Sequence, residues 1–225
     1  FRYDVVGIGN AIVDVLARAD DDFLAARDLP KGGMTLINAS TAESLYADMT
    51  EVLEQSGGSA ANTIAGLASL GGKGAFIGKV RDDILGNSFR EDIRQIGVDF
   101  DTPAATHSAP TARFLILVTP DAQRTMNTYL GACIELGPED IDADVIKASK
   151  ITYLEGYLFD PPAAKEAFVQ AATIAHEGEG KVALTLSDSF CVERYRDDFL
   201  KLLEGHVDIL FANEDEIKTL YQVDE

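Results

Sequence analysis

The 225 residues carry 19 Lys and Arg against 38 Asp and Glu, a formal net charge of −19 at pH 7, with 46% hydrophobic and 25% charged residues. This mix excludes an intrinsically disordered chain and a collagen-like repeat. A surface so acidic repels phosphate backbones and anionic lipid, which argues against nucleic acid and membrane as partners.

In chain order, Tyr3–Gly9 reads as a buried strand running into a glycine turn, and 12–17 as a second extended piece. A short helix is expected near 22–27 and a strand at 33–37. Ser40 with Glu43 three residues on has the form of a capping box and predicts a helix through Leu45 and Met49. Gly57-Gly58 opens an apolar helix, 60–70, that stops at Gly71-Gly72. A strand at 74–78 and a helix over 84–96 follow. Residues 111–130 read as a hairpin, with β-branched and aromatic residues on both sides of a Pro120-Asp121 turn. Strands at 151–154, 182–186 and 209–211 then alternate with helices at 162–176 and 192–203, and Asn213 opens a last helix. Alternating β and α predicts a doubly wound, mostly parallel sheet flanked by helices. The extended pieces 12–17, 33–37 and 111–130 break the alternation and predict a small separate sheet at its mouth.

Three segments carry candidate chemistry. Gly7-Ile8-Gly9 follows a strand, but position 12 is Ile12 and Asp14 lies too near for a ribose-binding acid, which weakens a dinucleotide reading. Gly57-Gly58-Ser59-Ala60-Ala61-Asn62 starts a helix whose first N–H groups are open to a ligand, with the Asn62 amide one turn on; it reads equally as an ordinary glycine turn. Asn213-Glu214-Asp215-Glu216 reads as a capped helix start, or as a ligand site at the carboxyl end of a parallel strand where a carboxylate meets Mg²⁺ through water. Asp188, after the strand 182–186, suits a ligand contact or a turn. His107, His176 and His206 have no metal spacing.

Together these pieces resemble the ribokinase-like (PfkB) family of carbohydrate and nucleoside kinases over essentially the whole chain. The glycine-rich run 57–62, with glycines at 66, 71, 72 and 78, follows the family's first signature, and Asn213-x-x-Glu216 looks like its magnesium and phosphate motif. The run Arg124–Ala132 is closest to the adenosine-kinase-like branch. The resemblance implies one α/β kinase domain over 1–225 with a β-sheet lid, transferring phosphate from ATP with Mg²⁺ to a nucleoside, or alternatively to a ribose- or fructose-type sugar. Asp14, Gly57, Gly58, Asn62 and Arg124 would meet the substrate, and Asp188, Asn213 and Glu216 the nucleotide phosphates, with Glu216 reaching the metal through water. The family's second signature, a Gly-Ala-Gly-Asp run supplying the catalytic base, does not occur in these residues. The expectation is therefore a kinase domain incomplete at its C-terminus, with no catalytic base within 1–225, or a substrate-binding module without catalysis. Cys133 and Cys191 show no CxxC spacing, no apolar run reaches ~18 residues, and the opening segment reads as a strand and not a signal peptide. These features predict a cytoplasmic protein; the resemblance implies a monomer or a homodimer joined through the lid.

Overall fold

The computed structural model describes residues 1–223; Asp224 and Glu225, the end of the expected 1–225 domain, lie outside the described residues. Among the described residues eleven strands fall into two sheets. β1 (Tyr3–Ile8), β5 (Gly74–Ile77), β6 (Val98–Asp99), β9 (Ser149–Glu155), β10 (Lys181–Thr185) and β11 (Ile209–Phe211) form the body sheet, ordered β11-β10-β9-β1-β5-β6 with every pair parallel. β2 (Ile12–Arg18), β3 (Met34–Leu36), β4 (Leu53–Gly57), β7 (Ala112–Val118) and β8 (Arg124–Tyr129) form the lid sheet, ordered β3-β8-β7-β2-β4.

Two cores cover the faces of the body sheet. On one face α5 (Ala143–Lys147), α6 (Pro162–Glu177) and α7 (Ser189–His206) pack on Val6, Ile8, Ile77, Leu154 and Leu184. The α6 contribution is the small-residue stripe Ala164, Ala167, Ala171 and Ala175 with Phe168, all buried, so this helix seats close to the sheet. On the other face α3 (Ser59–Ser69) and α4 (Ile84–Gln95) enclose Phe76, whose ring lies 6.0 Å from Phe89 and 5.9 Å from Phe100. That second core runs on into one face of the lid, where Val13, Val15, Leu115 and Leu117 meet Leu24 of α1 (Asp21–Ala26) and Leu45 of α2 (Ala39–Asp48). α8 (Glu214–Tyr221) closes the described chain.

The doubly wound body and the 111–130 hairpin agree with the pattern read from sequence. Several details differ. β4 was not expected: its Leu-Glu-Gln-Ser-Gly is largely exposed and carries no apolar run, and it is a strand because β2 supplies an antiparallel partner. The cap of α2 is Asn38, whose Oδ1 accepts from the Thr41 N–H at 2.9 Å, so Ser40 sits inside the helix and donates to the same oxygen. α7 is kinked at Tyr195, where φ is −131° and ψ 31°. α5, absent from the sequence reading, is a short turn capped by Asp142.

Candidate functional site

The lid has two unlike faces because side chains alternate along each strand. One face is the core described above. On the other, pairing registers align residues in rows. The row nearest the body is Gly57–Ile12–Ala112, the next Gln55–Asp14–Phe114–Thr128–Leu36, and the third Leu53–Leu16–Ile116–Met126–Met34. In the second row Phe114 packs against the small buried cluster of Ile12, Ala112 and Cys133, while Met34, Leu36 and Leu53 at the margins are each more than half exposed. A carboxylate therefore stands at the edge of an apolar sheet face.

Asp14 is the strained member of that face. Its Oδ1 is buried without a hydrogen-bond partner, and burial pushes the carboxyl up to about 6 from an ordinary 3.8. The carboxylate lies directly over Gly57, where any Cβ would collide with both of its oxygens. Gly58 follows at φ +99°, a conformation that favours glycine, and its missing Cβ makes room for the Asn10 carbonyl. Gly58 is also the N-cap of α3 and offers no side-chain cap; of the first amides of this helix, the Ala60 N–H donates to Glu155 at 2.8 Å. Asn62 is exposed on the first turn of α3, its N–H donating to Gly58 O at 2.8 Å. Asp14 of β2, Gly57 of β4 and Gly58 before α3 thus meet at one corner, with Asn62 exposed one turn further along α3. The arrangement offers acceptors and amide donors to neighbouring hydroxyls, with a flat apolar surface beside them.

Arg124 is not part of this corner. It pairs with Val118 at the far end of the hairpin, exposed, two strands across from Asp14 and displaced about 13 Å along the strand direction at the usual rise. Asp188 and Asn213 stand after β10 and β11, at the carboxyl end of the body sheet. Asp188 caps α7 by accepting the Cys191 N–H at 2.8 Å. Asn213 and Glu216 cap α8 reciprocally: Asn213 Oδ1 accepts the Glu216 N–H at 2.8 Å, while Glu216 accepts the Asn213 N–H at 3.1 Å and its Nδ2 at 2.9 Å. Both Glu216 oxygens are committed to the cap and the residue is buried, so a metal held directly by this carboxylate does not fit; only contact through water does. Among the described residues no group of three His, Cys, Asp or Glu side chains could hold a metal ion. No helix among them is long and apolar enough to cross a membrane.

Glu155, which the sequence reading passed over, lies beneath the corner. At the end of β9 and only 1% exposed, it accepts the Asn10 N–H at 3.2 Å, Asn10 Nδ2 at 2.8 Å and the Ala60 N–H at 2.8 Å. Its single sequence signal is a carboxylate directly after the run Ile151-Thr152-Tyr153-Leu154.

Comparison with known proteins fits this geometry. The model of the "pfkB family carbohydrate kinase" family matches residues 29–225. The structure of the adenosine kinase from Sinorhizobium meliloti superposes with a TM-score of 0.86 at 57% identity, covering 100% of this chain and 69% of that one. A probable sugar kinase protein from Rhizobium etli CFN 42 gives 0.86 at 54%, covering 100% and 68%. Among curated sequences, guanosine-inosine kinase of Escherichia coli (strain K12) is 28% identical over 235 residues, 96% of this chain and 52% of that protein. The chain thus spans about half the length of the curated relatives it matches.

Proposed function

The chain belongs to the pfkB family of carbohydrate kinases, and from that premise we propose that it phosphorylates a hydroxymethyl group on an adenosine-like nucleoside, with ATP as donor. The observation that carries the nucleoside reading is the lid row in which Asp14 stands next to Phe114, with the wholly apolar row Leu16–Ile116–Met126 behind it. A nucleoside has hydroxyls at one end and a flat, weakly solvated base at the other, and this face offers a partner for each. A free sugar presents hydroxyls on every side and would leave the apolar rows bare.

In this reading Asp14 accepts hydrogen bonds from two neighbouring ribose hydroxyls, a task a carboxylate performs better than an amide. The Gly57-Gly58 turn lets the backbone approach the sugar without a side chain intervening, and Asn62 supplies a further donor and acceptor. The hydroxymethyl group then points toward the carboxyl end of the body sheet, where Asp188 and Asn213 begin α7 and α8 and the nucleotide phosphates would lie. Mg²⁺ arriving with ATP would neutralise phosphate charge, and Glu216 would meet it only through water. The lid's role is to keep water from the transferring phosphoryl group. A catalytic base of the Gly-Ala-Gly-Asp type is not among these residues, so what they furnish is the substrate seat. Two buried free thiols, Cys133 and Cys191, support a cytoplasmic setting.

Likeness to a probable sugar kinase supports a second reading, in which a ribose- or fructose-type sugar binds at Asp14 and a second copy's lid covers the apolar rows. Calorimetry with adenosine, guanosine, ribose and fructose, beside light scattering, separates the two. Adenosine or guanosine binding to a monomer supports the nucleoside reading. Sugar binding to a dimer with no nucleoside binding overturns it, and failure of all four to bind overturns both.

A further inference from the structure

The lid joins the body through four crossings: β1 to β2 at residues 9–11, β4 to α3 at Gly58, the segment 100–111 leading into β7, and Leu130–Gly131 leaving β8. They lie side by side, because register aligns Gly57, Ile12 and Ala112 and sets Tyr129 against Arg113 one position further along. The third and fourth are tied together by the Ala132 N–H donating to Pro110 O at 2.9 Å. The third is also fixed to the body by Asp83, which caps α4 and accepts the Thr111 N–H at 2.9 Å and its hydroxyl at 2.6 Å.

The first and second crossings are tied by Glu155. One carboxylate accepts from Asn10 in the first and from Ala60 just past the second. The packing around it is close: a Cβ at Gly9 would sit 2.5 Å from Glu155 Oε2, and one at Gly58 would meet the Asn10 carbonyl. The Asn10 amide is held with its NH₂ on Glu155, which leaves Oδ1 turned away without a partner. The donors to Glu155 thus come from the first crossing, at Asn10, and from the first turn of α3 next to the second, at Ser59 and Ala60.

We propose that Glu155 is a positioning residue of the site: its carboxylate latches both crossings to the body, so that Asp14, carried by the lid, and the amides of α3, carried by the body, meet a substrate in one fixed geometry. The role in binding rests on the kinase reading; the latch itself does not.

The test is Glu155→Gln in this chain, followed by amide hydrogen exchange without ligand and by calorimetry with adenosine. Glutamine keeps the shape but sets an NH₂ against groups that are all donors. Exchange at residues 9–12 and 58–61 should rise at least tenfold while α6 keeps the wild-type rate, and adenosine affinity should fall about tenfold. A uniform rise across the chain, or no change at the crossings, overturns the proposal. If crossings loosen while wild-type and variant bind adenosine equally, the positioning role is refuted although the latch exists. If the wild-type binds no nucleoside or sugar, the kinase reading fails and the exchange pattern alone judges the latch. Should Glu155→Gln not fold, Asn10→Ala removes only the 2.8 Å Nδ2 bond: faster exchange at 9–12 with 58–61 less affected is expected, and identical exchange at 9–12 refutes the latch. Thr111→Val, at the other pair of crossings, should speed exchange at 111–112 and leave 58–61 unchanged.

Discussion

Asp14→Asn should stabilise the fold at neutral pH while weakening substrate binding. Burial has raised the carboxyl from 3.8 to about 6, and one of its oxygens has no protein partner. The ionised form is therefore disfavoured in the folded chain relative to the unfolded one. At 1.36 kcal/mol per pH unit the full difference is about 3 kcal/mol. Asp14 is only partly buried, and solvent screening reduces this to roughly 1–2 kcal/mol. The sign follows from a folded pKa above the unfolded one: the penalty is absent below about pH 4, grows as pH rises, and is complete above about pH 6. Denaturant unfolding at pH 4, 5, 6, 7 and 8 should thus give wild-type and variant curves that nearly coincide at the acid end and separate by roughly 1–2 kcal/mol in the variant's favour at pH 7–8. Over the same range wild-type affinity for adenosine should improve as pH rises through 6, because the hydroxyls require the carboxylate. The variant should bind about tenfold or more weaker at pH 7, the value of a charged hydrogen bond of roughly 1.5–3 kcal/mol. A variant less stable at pH 8, or a stability difference that does not change with pH, would refute the view of Asp14 as an unsatisfied acceptor awaiting a ligand.

Gly57→Ala places a methyl group against both Asp14 oxygens, so binding should fall at least tenfold and stability by about 1–3 kcal/mol; normal adenosine affinity by calorimetry would put the substrate elsewhere. Glu216→Gln breaks the reciprocal cap and should lower stability by about 0.5–2 kcal/mol, read by denaturant unfolding. In a catalytically active enzyme, superimposable curves of kcat against Mg²⁺ for wild-type and variant would reduce Glu216 to that cap. Arg124→Ala, displaced about 13 Å from Asp14 along the strand direction, should change adenosine affinity less than about twofold, and a tenfold loss would mean that the substrate extends to the tip of the lid.

What sequence made legible was local. The parallel body follows from apolar strands alternating with capped helices, and the glycine turn at 57–58 from chemistry carried by adjacent residues. β4 was hidden because Leu53–Gly57 has little intrinsic strand character and acquires its structure from β2. The cap of α2 was misplaced by two residues because Asn38 and Ser40 are both good caps, and the Thr41 N–H donates to Asn38. Arg124 seemed near the substrate in a linear motif, yet hairpin register sends it to the opposite end from Asp14. Glu155 was the least accessible of all, since its partners are 145 and 95 residues away and no local pattern encodes that convergence.

The two acidic residues of the corner differ in who supplies their donors, and that difference separates structure from function more sharply than burial does. Glu155 is the more deeply buried. Burial raises its pKa too, but hydrogen bonds from Ala60, Asn10 and Ser59 oppose the rise, so the folded chain itself completes the shell of this carboxylate. Asp14 is less buried, yet desolvation acts on it without any opposing hydrogen bond, and one oxygen is left bare. A chain selected only for stability would gain by removing such a group, because an unpartnered buried acceptor costs about 1–3 kcal/mol. Its place at the meeting of a glycine turn, the start of α3 and an apolar sheet face gives it a reason to persist: the missing donors are hydroxyls that arrive with a ligand, and the desolvation penalty is relieved on binding.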